Sequence, residues 1–267
     1  MILAIDIGNT NVVMGLMSSR GVLDSHKRVV TEKPATPEEI SEATDTYAAQ
    51  LAFFLCDEGH TGTMHRIDGC IICSVVPEFT PCVQKAVQYV TGCQPMVVSP
   101  ALKLGLTLAY DAPGRLGADL IADAVAGVQE HNGPLAIFDL GTATTASIVD
   151  AHKVYQGSMI IPGMVISEQA LVARASQLPE IPYEVPARLI SKNTVEAMQS
   201  GMFYGTAALI DGLINQIEAE IGQPVVPILT GGFASTVAPL CRQTVICDSN
   251  LLLKGLWDIY FMNTAEL

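Results

Sequence analysis

The chain opens on a crowded apolar run, Ile2, Leu3, Ala4 and Ile5, that stops at Asp6. Short apolar or alternating runs bounded by turn residues predict strands at 2–6, 12–17 and 22–30. Gly8-Asn9-Thr10-Asn11 and Ser19-Arg20-Gly21 are turn signals that join these strands into a meander. A polar, Pro-containing segment follows, and residues 38–56 then show helical spacing behind an acidic first turn. The same criteria predict a strand at 70–76, a helix at 78–90 and a short strand at 95–99.

The second half repeats the plan. Strands are expected at 135–139, 144–149 and 154–161, with the turn Gly141-Thr142-Ala143 between the first two. A Pro-containing loop leads to helical spacing over 194–221, where Gly201, Gly205 and Gly212 weigh against one straight rod. A strand at 227–230, a turn at Gly231-Gly232 and a helix at 251–261 close the pattern. Ala4-Ile5-Asp6-Ile7-Gly8-Asn9-Thr10-Asn11 aligns with Ile137-Phe138-Asp139-Leu140-Gly141-Thr142-Ala143-Thr144. In each string an Asp ends an apolar strand and a Gly follows two residues later. Short strings recur by chance, but these lie about half the chain apart in the same strand-turn-strand setting, which argues for duplication. The expectation is two similar α/β halves, residues 1–115 and 116–267, facing one another across a cleft.

Composition narrows the function. Of 267 residues, 49% are apolar and 15% charged, ample for buried cores. No apolar stretch approaches the roughly 18–20 residues a membrane-spanning helix needs, so no membrane partner is expected. An acid arrives at Asp6 with no basic segment before it, which does not resemble a secretory leader; a cytoplasmic location is expected. A net charge of -13 disfavours a nucleic-acid partner. It leaves room for a single nucleotide, whose phosphates backbone N–H groups can hold. Seven cysteines, scattered through apolar runs, read as reduced thiols. Cys56, His60, His65, Cys70 and Cys73 resemble a zinc-ligand set, but Cys70 and Cys73 are three apart on an expected strand and point to opposite faces.

A tight turn of Gly, Asn and Thr offers several N–H groups and hydroxyls to one phosphate, and Gly lets the phosphate approach the main chain. The strand-end Asp adds a carboxylate for a hydrated cation. One such turn is most simply an ordinary turn with a self-capping Asp. Two, together with Thr230-Gly231-Gly232, are more specific for a nucleotide. No G-x-x-x-x-G-K-[ST] occurs, and no G-x-G-x-x-G follows a strand, so neither of those phosphate grips is present. Asp119 begins the apolar-periodic run Leu120, Ile121, Ala124, Val125 and Val128. There it either compensates the helix dipole or orients the proton of an attacking hydroxyl. Phosphoryl transfer asks mainly for positioning and charge neutralisation, so a modest base suffices.

These motifs, in this order, resemble the type III pantothenate kinases of the actin/hexokinase/Hsp70-like superfamily. The likeness includes Asp6-Ile7-Gly8-Asn9-Thr10-Asn11, Ser74-Val75-Val76-Pro77, Tyr110-Asp111-x-Pro113, Gly117-Ala118-Asp119 and Asp139-x-Gly141-Thr142-Ala143-Thr144. It continues through Ile161-Pro162-Gly163, Asn193-Thr194-Val195-Glu196-Ala197-Met198-Gln199-Ser200-Gly201 and Thr230-Gly231-Gly232, so it runs nearly end to end. The resemblance implies an α/β fold of two duplicated ribonuclease H-like (actin-like ATPase) domains. It implies ATP-dependent phosphorylation of pantothenate to 4'-phosphopantothenate, the first step of coenzyme A biosynthesis, by a homodimer.

Carried onto this chain, the resemblance assigns ATP to Asp6, Ile7, Gly8, Asn9, Thr10, Asn11, Val12, Val13 and Thr142. It makes Asp119 the proton acceptor, and lines the pantothenate pocket with Tyr110, Gly117, Ala118, Asp119, Leu120 and Thr194. Asp139 would bind a monovalent cation, potassium or ammonium, and Asp6 would hold magnesium through water. The plain structural readings are a helix N-cap for Thr194 and a half-buried packing ring for Tyr110.

Two positions depart from the family pattern. Leu120 stands where the family's Gly-Ala-Asp motif continues with Arg, and Gly157-Ser158 stands where two glycines are usual. Losing a charge-assisted contact costs about 1.5–3 kcal/mol. Arg115, four residues before Asp119, is one replacement cation; a partner subunit is another. Besides the pantothenate kinase, two readings remain at this stage. One is a family paralogue that binds ATP with weak or redirected catalysis; the other is an actin-like phosphotransferase acting on a sugar or polyphosphate.

Overall fold

The computed structural model describes residues 1–56 and 65–264. His60 of the zinc-like set lies outside the described residues. In chain order the chain forms β1 (Ile2–Ile7), β2 (Asn11–Met17), β3 (Leu23–Val30), α1 (Pro37–Leu55), β4 (Gly69–Ser74), α2 (Thr80–Thr91) and β5 (Met96–Val97). Next come β6 (Thr107–Leu108), a 3-10 turn (Pro113–Arg115), α3 (Ala118–Glu130), β7 (Leu135–Leu140), β8 (Ala143–Val149) and β9 (Val154–Pro162). The last elements are α4 (Met164–Arg174), α5 (Thr194–Ile221), β10 (Val226–Thr230), α6 (Ala234–Val237), a second 3-10 turn (Ala238–Leu240), β11 (Ile246–Cys247) and α7 (Leu251–Thr264).

Two compact units divide these elements. The first holds Met1–Gly105, Ala112–Ala126 and Leu252–Leu267; the second holds Leu106–Asp111 and Gly127–Leu251. This grouping differs from a single cut between residues 115 and 116. The start of α3 and nearly all of α7 pack with the N-terminal sheet, because that sheet has a second apolar face to cover.

In the first unit the strand order is β3-β2-β1-β4-β5. β1 runs antiparallel to β2 and parallel to β4. Leu3, Ile5 and Ile7 point to one face and are fully buried against Tyr47, Leu51 and Leu55 of α1 and Val83 and Val87 of α2. Each such side chain contributes about 1.5–3 kcal/mol when fully buried, and a one-residue slip would drive Asp6 into that core. The register is therefore strongly fixed. On the opposite face Gly15 lies beneath Leu253 and Gly69 beneath the Tyr260 ring, both from α7. Gly255 of α7 in turn backs onto the Ala122 carbonyl of α3.

The second unit has the order β11-β10-β7-β8-β9-β6. Followed from β9, the order β9-β8-β7-β10-β11 repeats that of the first sheet. The directions repeat as well, two antiparallel pairings followed by two parallel ones. Asp6 is paired with Val13 and Cys73, and Asp139 with Thr145 and Thr230, so the two acids occupy the same node. The duplication read from the sequence is present in topology and register. The copies differ at the turn: Gly8, Asn9 and Thr10 separate β1 from β2, whereas only Gly141 and Thr142 separate β7 from β8.

Helix ends follow local chemistry. Pro37 opens α1 behind a capping box in which Thr36 Oγ1 accepts the Glu39 N–H (3.2 Å) and the Glu39 carboxylate accepts the Thr36 N–H (3.1 Å). α5 is capped by Asn193, whose side chain accepts the Glu196 N–H at 2.9 Å. Thr194 is consequently the first helical residue, and the N-cap reading passes to its neighbour. α5 is also one uninterrupted helix despite its glycines. Phe203, Ile210, Ile214 and Ile217 bury one face against Phe138 and Leu140 of the second sheet, which outweighs about 1 kcal/mol for each helical Gly. The expected Pro-containing loop contains α4, a helix that periodicity did not reveal. Its face is mixed, with Glu168 buried and Leu171 exposed.

Candidate functional site

At the carboxyl ends of β1 and β4 stand Asp6 and Cys73, direct register partners on parallel strands. Ligands of open α/β sheets gather at such strand ends. Both residues face away from the α1–α2 core. Cys70, by contrast, lies within that core, so the two thiols of the zinc-like set are turned to opposite sides of the sheet. The first turns of α3 bring Asp119 and the buried Asp123 toward the same place. Burial first, and then the charges of Asp6, Asp119 and Asp123, push the Cys73 thiol well above its usual value, and it hydrogen-bonds Asp6.

Asp119 is half-buried. Its Oδ1 accepts the Leu120 N–H at 2.8 Å, folding the carboxylate back on the helix start. Burial raises its pKa, opposed by the N–H groups of Leu120 and of Asp119 itself. Gly117 makes this geometry possible, since a β-carbon there would collide with Asp119 Oδ1. Ala118 opens α3 at half exposure. Leu120 is only 7% exposed, so it presents packed apolar surface at the position where the family motif continues with Arg. Arg115 ends the 3-10 turn with an exposed side chain.

The β1–β2 turn is braced from outside. The Gly8 N–H donates to the Asn11 carbonyl (3.0 Å), Thr31 Oγ1 donates to the Gly8 carbonyl (2.6 Å), and the Thr31 N–H donates to the Thr10 carbonyl (3.0 Å). Asn9 and Thr10 remain exposed, and the Lys33 ammonium reaches Asn9 Oδ1 at 3.5 Å. Ile7 and Val12 bury their side chains in the core, which leaves main-chain atoms as their only groups for a ligand. Val13, across from Asp6, is half-exposed. Thr31 and Lys33 were not anticipated as site residues. A signal existed: Asn11 pairs with Val30, so whatever follows Val30 must run beside the turn.

In the second unit three separate motifs meet. Gly231, at φ +88°, lies against Asp139, and a β-carbon would strike Asp139 Oδ1 and come within 2.7 Å of the Leu140 nitrogen. A β-carbon on Gly163 would strike the Thr142 carbonyl and approach the Gly141 carbonyl to 2.6 Å. The half-buried Asp139 carboxylate, the exposed Thr142 and the Gly141 main chain thus share a cradle that only glycine neighbours permit. Its donors are oxygens, the set that hard cations favour.

Tyr110 follows β6, which is annexed to the edge strand β9. The Ala109 N–H donates to the Tyr155 carbonyl at 3.1 Å. The Tyr110 ring stands edge-on to that of Tyr155, with centroids 6.3 Å apart. Tyr155 is fully buried and its hydroxyl meets Ser147 Oγ at 3.0 Å. Thr194 instead lines a cavity of about 860 Å³ between α4 and α5, with Ser167, Glu168, Asn193 and Met198 among its walls. Tyr110 does not line that cavity. Within the first unit, then, Asp6 and Asp119 both bear on Cys73, and within the second Asp139, Thr142 and Gly231 fall together.

Two sheets that share a five-strand order, each with an acid near the end of its central strand and a glycine two residues on, define an actin-like ATPase fold. A conserved Baf family protein from Campylobacter jejuni shares it with a TM-score of 0.61 at 18% identity, covering 99% of this chain and 100% of its own. A ROK family glucokinase from Streptomyces griseus, in complex with glucose and AMPPNP, shares it with a TM-score of 0.53 at 14% identity, covering 99% of each chain. Likeness at these identities is one of fold. Sequence goes further: residues 2–216 match the type III pantothenate kinase family, and the chain belongs to that family. Relatives named type III pantothenate kinase include one from Exiguobacterium sp. (strain ATCC BAA-1283 / AT1b), 39% identical over 263 residues, 98% of this chain and 99% of its own. Another, from Geobacillus sp. (strain WCH70), is 39% identical over 267 residues, 100% of this chain and 99% of its own.

Proposed function

We propose that the chain transfers the γ-phosphoryl group of ATP to the primary hydroxyl of pantothenate, yielding 4'-phosphopantothenate for coenzyme A biosynthesis. Family membership over most of the chain supports the reaction. The observation that carries the assignment of roles is positional: Asp6 lies beside Cys73 at the end of β1, and Asp119 lies in the first turn of α3, near enough for its charge to bear on the same thiol. A carboxylate suited to a nucleotide-bound cation and one suited to a hydroxyl proton therefore belong to a single locality.

In this reading Asp119 accepts the proton of the attacking hydroxyl. Its raised proton affinity matches that duty better than an ordinary surface carboxylate would. Gly117 and Ala118 let the carboxylate and the acceptor approach the start of α3. The 8–11 turn supplies N–H groups and hydroxyls to the phosphates, with Val12 and Val13 contributing beside it; Thr142, in the second unit, is a further ATP contact in this reading. Lys33 adds a positive charge near Asn9. Leu120 contributes packing in place of a charge, so neutralisation of the transferring group rests on the other groups. Tyr110 and Thr194 contact pantothenate.

Metal ions belong to the proposal. Asp6 fits magnesium held through water, and Asp139 with its carbonyl surroundings fits potassium or ammonium. Such cations, when bound, offset phosphate charge. A homodimer is proposed on the α4–α5 face, where Leu171 and Leu209 are exposed at the cavity and Ile166 is exposed on α4. A cytoplasmic location accords with a metabolic kinase. Among the described residues no helix is long and apolar enough to cross a membrane. Purified protein given ATP, magnesium, potassium and pantothenate is expected to form phosphopantothenate, detected by mass, and Asp119→Asn to abolish it. Product formation from a hexose but none from pantothenate would overturn the assignment.

A further inference from the structure

Cys73 has no part in the reaction as described, yet it lies at its centre. It is fully buried and paired in register with Asp6. It sits on the sheet face that receives α3, the helix carrying Asp119 and Asp123. A fully buried cysteine set beside a carboxylate in register offers it a neutral S–H, a donor. A carboxylate that accepts a fixed hydrogen bond on one side has fewer orientations for its remaining lone pairs. The residue at this node in the second unit is Thr230, beside Asp139. Both copies of the duplicated sheet therefore set a small side chain with a hydrogen-bonding X–H group, S–H or O–H, next to the strand-end acid.

We propose that Cys73 is a positioning residue: its S–H donates to the Asp6 carboxylate and fixes the face that Asp6 turns toward the hydrated cation of the nucleotide. This rests on the proposed ATP role of Asp6. Cys73 touches neither substrate nor reacting atoms, and it works through Asp6. A neutral donor suits the position, because a fourth negative charge beside Asp6, Asp119 and Asp123 would oppose binding of a triphosphate. Complete burial also keeps the thiol from oxidants, so its chemistry here is hydrogen bonding alone.

The test separates donation from packing. Cys73→Ser keeps a donor; Cys73→Val keeps an apolar side chain of similar size and loses the donor. Val is expected to raise the KM for magnesium–ATP and the magnesium concentration for half-maximal rate about three- to tenfold, the scale of one hydrogen bond. The KM for pantothenate should hold, and Ser should recover most of the loss. A readout independent of turnover is the infrared S–H band of Cys73, isolated as wild type minus Cys73→Ser. The band is expected to lie below that of an unbonded thiol and to move upward in Asp6→Ala. Val indistinguishable from wild type with Ser impaired, or a band indifferent to Asp6→Ala, overturns the proposal. If wild type fails to phosphorylate pantothenate, the functional reading fails separately. The band and calorimetric magnesium–ATP binding then still decide the role of Cys73.

Discussion

Gly117 and Asp119 share the start of α3 so closely that a β-carbon on Gly117 would occupy the place of Asp119 Oδ1. The fold-back that lets Asp119 accept the Leu120 N–H therefore depends on a hydrogen two residues earlier. Gly117→Ala should displace the carboxylate rather than unfold the chain, since it can swing away at the cost of one local hydrogen bond. A displacement of about 1 Å at a reacting group costs on the order of 100-fold in rate. The expected outcome is a kcat lowered about 10- to 100-fold with a melting temperature within a few degrees of wild type. Unchanged turnover would show that the fold-back has no part in catalysis.

The same carboxylate sets a pH dependence. Burial raises its pKa above 3.8. An acid whose folded pKa is raised binds its proton more tightly in the native state. Its contribution to stability is fully present below the unfolded value, about 3.9, and is lost as pH rises through the folded value. Activity runs the other way, because a proton acceptor must first be ionised. The acid limb of kcat should therefore have its midpoint above the ordinary carboxylate value, with rate rising as pH rises. A profile flat down to pH of about 4 would remove Asp119 from the rate-limiting proton transfer.

Much of this was legible in the sequence, for identifiable reasons. The strands of both meanders follow short apolar runs, and the two Asp–x–Gly strings marked the equivalent nodes that the register now joins. What escaped was whatever depended on tertiary support. β6 and β11 are two residues long and exist through pairing with β9 and β10. α4 lacks an apolar stripe clean enough to read. The convergence of Gly163 and Gly231 on the Asp139 turn is contact between distant segments, which no local pattern encodes. Thr31 and Lys33 fell in a polar stretch whose importance comes from running beside a neighbouring turn. Leu120 was readable as a departure but not as a buried one; its burial comes from packing.

That burial governs what restoring the family's Arg would do. At 7% exposure Leu120 leaves little room for a hydrated guanidinium. Leu120→Arg must desolvate a charge or push the start of α3 outward, at a cost of about 1–3 kcal/mol. A chain of this size loses roughly 2–4 °C in melting temperature for each kcal/mol. Lower thermal stability with no gain in pantothenate turnover is expected. A gain in turnover at unchanged stability would mean that the side chain at 120 reaches the substrate.

Gly231 gives the corresponding test for Asp139. Its φ of +88° is one that L side chains rarely adopt, and any β-carbon runs into Asp139 Oδ1 and the Leu140 nitrogen. Ala at this position must both strain the backbone, by about 1–3 kcal/mol, and turn the carboxylate out of its cradle. If Asp139 holds the monovalent cation, the second effect has a signature that strain alone does not produce. Gly231→Ala should raise the potassium concentration for half-maximal rate several-fold. Magnesium dependence, which the proposal assigns to Asp6, should stay near wild type. Asp139→Asn should weaken potassium activation in the same direction without the backbone strain, so its melting temperature should fall less. Loss of stability in Gly231→Ala with an unaltered potassium dependence in both variants would leave Asp139 as a structural acid and remove the cation from this turn.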